Sequence, residues 1–231
     1  MESTGNSTLA ADPRHLLVIG AGPGIGAGTA RRFAREGFRI TLVARRTEPL
    51  TVLAEELEGL GAQVHVVTAD ASDVPEYEAV LRSLYAGVGS PGVVVYNAVS
   101  GSAEPLLTID SERLRLANNV NVVSAVVTAQ VAAPHLRAAG GGTILYTGGG
   151  LADYPSGAYA SASLGKAALR AAATILAGDL ADDNIHVASI TINGAVEYGT
   201  PFDPNLIGDE YWTIHLQPRE SWVPESPYNG R

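Results

Sequence analysis

The stretch Gly20-Ala-Gly22-Pro-Gly24-Ile25-Gly26 constrains this chain more than any other, because of what flanks it. Before it, His15-Leu-Leu-Val-Ile19 reads as a short buried strand; after it, Ala27-Gly-Thr-Ala-Arg-Arg-Phe-Ala-Arg-Glu36 reads as a helix. A strand that runs through a tight turn into a helix leaves unpaired N–H groups and the positive end of the helix dipole facing open space. Glycines let the backbone turn sharply and approach a ligand, so the arrangement fits the pyrophosphate of a dinucleotide. A glycine cluster alone could be only a turn; the flanking elements select the nucleotide reading.

From His15 onward, short apolar runs alternate with longer alanine-rich segments at helical spacing, the pattern of a parallel sheet covered on both faces. Six strands are expected, over 15–20, 38–44, 63–68, 92–97, 142–147 and 185–192, with a seventh short one near Trp222. Right-handed crossovers and a glycine-rich first turn give an α/β fold with a doubly wound parallel sheet (Rossmann) in the order 3-2-1-4-5-6, extended to 7 if the last strand forms. With 231 residues, 46% of them hydrophobic, the chain suits one domain over 14–231. Residues 1–13 are small and polar and predict a disordered tail.

The net charge of −9 opposes binding to nucleic acid or anionic lipid and favours a small-molecule substrate. No cysteine is present and the five histidines have no ligand spacing, so disulfides, thiolate chemistry and a metal site are not expected. The N-terminus lacks a basic segment followed by an apolar run, and no stretch reads as the roughly 20 apolar residues that cross a bilayer; a cytoplasmic protein is expected. Segments 111–138 and 157–181 carry more alanine and valine than one sheet face needs, which predicts a homodimer or homotetramer formed through them.

The second strand ends in Arg45-Arg46, with no acidic residue to take the ribose hydroxyls of NAD. A guanidinium there pairs with a 2′-phosphate, so NADP is expected over NAD. The spacing Gly20-x-x-x-Gly24-x-Gly26 resembles the short-chain dehydrogenase/reductase family, over about residues 15–200. The resemblance implies that Asp70-Ala71 contacts adenine, and that Asn97-Ala98 is the second half of an Asn-Asn-Ala-Gly segment in which Tyr96 and Val99 replace the flanking residues. It also implies that Asn121 is the helix asparagine holding a proton-relay water near the active-site lysine. Pro23 stands where NADP-preferring relatives often carry a basic residue. Asn193-Gly194 replaces the family's Pro-Gly, the backbone of Gly194 and Val196 is expected at the nicotinamide carboxamide, and Thr200 at the phosphates. Residues 201–216 read as a capped helix that could close the substrate pocket, with at least two of Tyr211, Trp212 and His215 as core or interface residues.

Reduction of a carbonyl needs a proton donor and a group that stabilises developing negative charge. The family supplies these from a serine and a Tyr-x-x-x-Lys, and Lys166 matches its lysine, but Ala162 stands at the tyrosine and Gly149 at the serine. Tyr159 lies seven residues before Lys166, and seven helical steps of about 100° return nearly to the same face, about 10.5 Å along the axis. This Tyr-x6-Lys is similar to the spacing of enoyl-thioester reductases, a divergent branch of the family. Tyr159 is therefore the expected donor, with Lys166 and Asn121 completing the catalytic set; Thr147, Ser161 and Ser163 are the other hydroxyls nearby. The leading expectation is an NADP-dependent reductase of a carbonyl or activated C=C. The missing side chains leave a second one, a non-redox reaction (dehydration, isomerisation or cyclisation) or nucleotide binding without turnover.

Overall fold

Runs such as Gly92-Val-Val-Val-Tyr96 are apolar throughout because strands at the middle of a parallel sheet are covered on both faces. In the computed structural model, which describes residues 10–101 and 103–231, they form β1 (Asp12–Ile19), β2 (Arg39–Ala44), β3 (Val64–Thr68), β4 (Pro91–Tyr96), β5 (Gly142–Thr147), β6 (Ile185–Ile192) and β7 (Glu225–Tyr228). All neighbours are parallel, in the order β3-β2-β1-β4-β5-β6-β7. The expected doubly wound sheet is present. The seventh strand begins three residues past Trp222, at Glu225.

Alternate residues of each strand serve opposite faces. Leu17, Ile19, Val94, Tyr96, Ile144 and Tyr146 meet α3 (Val74–Gly87), α5 (Ser124–Ala138) and α6 (Ala160–Leu180). Leu16, Val18, Val93, Val95 and Leu145 meet α1 (Ile25–Arg35), α2 (Thr47–Gly59) and α7 (Pro204–His215). Side chains cap several helix starts: Asp73 accepts from the Glu76 amide at α3, Asp110 from Glu112 at α4 (Ser111–Asn118), and Asp203 from Asn205 at α7. Helix α1 starts at Gly24 with no side-chain cap. Its first amides remain available to a ligand.

The expected tail needs correcting at its end. Asp12 and Pro13 belong to β1, the Asp12 amide donates to the Ser90 carbonyl at 2.8 Å, and the Ala11 amide donates to the His135 carbonyl at 3.2 Å. Residues 1–9 of that expectation lie outside the described residues. The segment 111–138 is not one regular helix, because a single π turn, Asn119–Val123, separates α4 from α5. A contact from β4 accounts for it: the Tyr96 hydroxyl donates to the Val120 carbonyl at 2.5 Å, engaging an acceptor that helix geometry would use. Ser111–Ala138 is also long and apolar enough to cross a bilayer, contrary to the sequence reading, yet 61% of its most apolar window is buried in the fold, where it serves as a core helix.

Candidate active site

The carboxyl ends of β1 to β4 open onto a cleft of about 320 Å³. Gly20 has φ +80°, and a Cβ on it would fall 2.4 Å from the Ala98 amide nitrogen, so only glycine lets β1 leave the sheet beside β4. The Asn97 side-chain amide donates to the Gly20 carbonyl at 2.7 Å, and the Gly22 amide donates to the same oxygen at 2.8 Å. At Gly22 and Gly24 a Cβ would meet nothing within 4 Å. The outer side of the turn is thus a bare cradle beside the amides of Ile25 and Gly26, which have no acceptor within the helix.

Gly20, Gly22, Arg45, Arg46, Asp70, Ala71, Asn97 and Ala98 all line this cleft, as the sequence predicted they would share a site. Both arginines are exposed and have no ion-pair partner among the described residues. Asp70 accepts from the Ser72 amide at 2.9 Å, which shapes the loop after β3. Tyr77 lies at the cleft's buried side with its hydroxyl against Thr128 Oγ1 at 2.6 Å. Sequence reasoning missed Tyr77, because its helix position looks like any other core aromatic.

Lys166 reaches across from α6 to donate to the Thr147 carbonyl, at the end of β5, at 2.5 Å. Burial pulls its ammonium down to about 8, since a charge held away from water is disfavoured. Gly149 is extended, and a Cβ there would lie 3.6 Å from Lys166 Cε, an ordinary contact; the place of the family's serine is open beside the lysine. Ala162 is buried, and a Cβ on Gly101 would come within 3.0 Å of it. The loop after β4 therefore closes on the place of the family's tyrosine.

The expected helical alignment of Tyr159 with Lys166 does not hold. Tyr159 ends a 3-10 turn (Gly157–Tyr159) and is the residue before α6, with φ −132° and ψ 43°, outside the helical screw. Ser163 fixes that boundary: its hydroxyl donates to the Tyr159 carbonyl at 3.0 Å and accepts from the Ser156 amide at 3.1 Å. Tyr159 is 53% exposed, and its hydroxyl has no partner among the described residues. Ser161 is buried with an unpartnered hydroxyl. The Thr147 hydroxyl faces away from the lysine, donating to Asn97 Oδ1 at 2.8 Å beside the Tyr211 hydroxyl at 2.6 Å.

Asn121 sits in the π turn and spends both ends of its amide on Ser100, accepting from the backbone N–H at 2.8 Å and donating to the carbonyl at 2.7 Å. It pins the segment after β4. Beyond β6, Gly194 lies under the Phe202 ring, where a Cβ would fall 2.3 Å from Cζ, and Val196 is 40% exposed. The Thr200 hydroxyl donates to the Glu197 carbonyl at 2.8 Å and accepts from the Phe202 amide at 3.1 Å. Tyr198, which the sequence did not single out, donates to the Pro23 carbonyl at 2.8 Å and ties this segment to the glycine turn. Helix α7 packs on α1, not over the pocket; Trp212 stands edge-on to Phe33 and Phe38, and His215 bonds Thr143 at 2.9 Å. Tyr211 is a buried core residue, as expected of at least two of the three; Trp212 and His215 are half-buried and pack against the core from its edge.

Comparison with known proteins agrees with this geometry. The family described as short chain dehydrogenase matches residues 14–204. A probable galactose dehydrogenase from Rhizobium meliloti is 32% identical over 183 residues, covering 77% of this chain and 70% of the relative. A metagenomic short-chain oxidoreductase in complex with NADP superposes with a TM-score of 0.85 at 25% identity, over 96% of this chain and 98% of the other. L-sorbose reductase from Gluconobacter frateurii, complexed with NADPH and L-sorbose, gives 0.84 at 25% identity over 96% of each chain. Family match, sheet order and glycine turn coincide over almost the whole fold, and the chain belongs to the short chain dehydrogenase family of oxidoreductases.

Proposed function

We propose that the protein uses NADP(H) to reduce a carbonyl group, or a C=C conjugated to one, in a small molecule. The observation that carries this reading is the cleft itself, where a glycine turn with bare outer sides faces two exposed, unpaired arginines. A guanidinium offers charged donors in a planar fork to a 2′-phosphate. Two of the related structures hold NADP or NADPH, which supports the choice. The residues from Gly20 to Gly26 would hold the pyrophosphate, Asp70 and Ala71 the adenine, and the backbone of Gly194 and Val196 the carboxamide.

Bound NADPH supplies a hydride. The chain's own residues must hold the nicotinamide ribose, stabilise negative charge on the substrate oxygen and deliver a proton. Lys166 serves the first two tasks through a partly desolvated ammonium. Of the hydroxyls around it, Thr147 and Ser163 are committed and Ser161 is sealed, while Tyr159 is exposed and unpartnered; Tyr159 is the donor we assign. Asn121 acts behind them by fixing Ser100.

Fluorescence titration with NADPH and NADH tests the cofactor choice. One charged hydrogen bond to the 2′-phosphate, about 1.5–3 kcal/mol, corresponds to at least a ten-fold preference for NADPH, and Arg45→Ala should remove most of it. Equal affinities in the unaltered protein would refute it. Loss of reduced-nicotinamide absorbance with aldehydes, ketones or enoyl thioesters tests the redox step. Gly149 and Ala162 favour a second reading, a non-redox reaction or nucleotide binding without turnover, which substrate conversion at constant absorbance would select.

The partner we infer is a second copy of the chain. Val126, Ile175 and Leu176 line an outward groove shared by α5 and α6, and Ile175 is 63% exposed. Light scattering should give a dimer or tetramer, and Ile175→Asp should shift it toward monomer; a monomeric unaltered protein refutes the inference.

A further inference from the structure

A chain of buried hydrogen bonds connects helix α7 to the glycine turn, and its direction can be worked out. The Asn97 amide nitrogen donates to the Gly20 carbonyl at 2.7 Å, so the Asn97 oxygen is the end that faces Thr147. Thr147 donates to that oxygen at 2.8 Å. A hydroxyl has one proton, so the contact of 2.6 Å between Thr147 and Tyr211 requires Tyr211 to donate. The order is Tyr211 to Thr147 to Asn97 to Gly20.

Tyr211 and Thr147 line no part of the cleft; both are buried, and burial pushes the Tyr211 phenol up, which keeps it in the donating form. Each bond constrains the next. Without a donor on its oxygen, Thr147 loses the contact that selects its rotamer, and the Asn97 amide then has less to hold it against Gly20. The Gly20 carbonyl is the anchor of the turn, because the Gly22 amide bonds the same atom and the Ala27 amide, at the start of α1, bonds Gly22. Thr147 also presents its carbonyl to Lys166, so one residue serves both halves of the site.

We propose that Tyr211 is a positioning residue for the dinucleotide site, fixing the phosphate-binding turn through Thr147 and Asn97 from a helix that never touches the nucleotide. The proposal rests on the nucleotide reading of the cleft. Helix α7 thereby becomes part of the cofactor site, and the commitment of Thr147 to this chain explains why its hydroxyl is turned away from the lysine.

The test compares the unaltered full chain with Tyr211→Phe, Thr147→Val, their double variant and Thr147→Ser. NADPH affinity is read by fluorescence, and backbone amide exchange of Gly20, Ala21, Gly22 and Ala27 is read without nucleotide. Tyr211→Phe removes one oxygen and keeps the ring, so the fold should persist, with melting temperature as the check. Loss of one net hydrogen bond, converted to affinity, raises the Kd for NADPH about three- to ten-fold. Thr147→Val should do at least as much, adding Tyr211→Phe to it should cost little more, and Thr147→Ser should restore binding. The turn amides should exchange faster in Tyr211→Phe while those of β6 do not. An unchanged Kd, losses that multiply in the double variant, or acceleration spread evenly over the sheet would overturn the proposal. Should the unaltered protein fail to bind NADPH, the nucleotide reading falls on that result, and the exchange pattern alone decides the chain: acceleration confined to the turn upholds it, and uniform acceleration overturns it.

Discussion

Gly28→Ala should destabilise this protein, although the same exchange normally favours a helix. Gly28 lies inside α1, where alanine in place of glycine gains about 1 kcal/mol from backbone entropy. Here the added Cβ would fall 1.9 Å from the Pro204 carbonyl oxygen and 3.1 Å from the Asn205 amide nitrogen, both backbone atoms of α7. Gly208 makes the contact reciprocal, since a Cβ on it would lie 2.5 Å from the Gly28 carbonyl oxygen. The two helices cross at a pair of glycines and can accept the methyl only by separating. Separation loosens the buried contacts of Phe33, Ile207 and Tyr211 and costs about 1–3 kcal/mol beyond the propensity gain, as overpacking does elsewhere. For a domain of this size a net loss of about 2 kcal/mol lowers the melting temperature by roughly 4–8 °C. Gly178→Ala provides the control: that glycine is exposed near the end of α6, a Cβ on it meets nothing within 4 Å, and the exchange should be neutral or raise stability by about 0.5 kcal/mol. Both are measured by thermal unfolding followed by circular dichroism. A Gly28→Ala protein as stable as the unaltered one, or more so, would refute the close crossing of α1 and α7.

Acid should weaken the fold through His15 and His215, which burial holds neutral with pKa values pulled down to about 4. Below the ordinary value of about 6.5 the unfolded chain takes up protons that the folded one refuses, so stability falls as pH drops from about 6.5 to 4. For His15, which is fully buried, the loss is about 2 kcal/mol between pH 7 and pH 5, read by urea unfolding at the two values; a flat dependence contradicts it. Gly149→Ser should be tolerated within about 0.5 kcal/mol, because the backbone is extended and the new Cβ makes ordinary contacts with Lys166. Ala162→Tyr should cost about 1–3 kcal/mol, because the ring must displace the loop at Gly101; a neutral effect in denaturant unfolding would show that this loop yields easily.

What the sequence disclosed was whatever is contiguous along it. The strand, turn and helix around Gly20–Gly26 form one local unit, and the buried strands of a parallel sheet read as apolar runs, so the sheet order and the glycine turn beside the cleft followed from pattern. The lysine half depends on partners far apart in the chain. Thr147 looks like a hydroxyl two residues from Gly149 on the same strand face, yet its proton goes to Asn97, 50 residues away, and its lone pair to Tyr211, 64 residues away. Tyr159 keeps a helical spacing from Lys166, but Ser156 and Ser163 end the helix one residue short of it, and periodicity cannot be carried across a boundary that side-chain bonds impose. The π turn at Asn119–Val123 needs Tyr96 from β4, and the pairing of Asp12 needs Ser90.

The same division bears on the chemistry. The two places that lack the family's serine and tyrosine, Gly149 and Ala162, lie where the chain's distant segments converge, and the structure treats them differently: one is open beside Lys166, the other is closed over by Gly101. A serine could therefore be put back without rearrangement, whereas a tyrosine could not. Under the proposed reduction, proton delivery falls to a group outside the helix face that carries Lys166, which is why the exposed hydroxyl of Tyr159, standing just before that helix, bears the weight of that proposal.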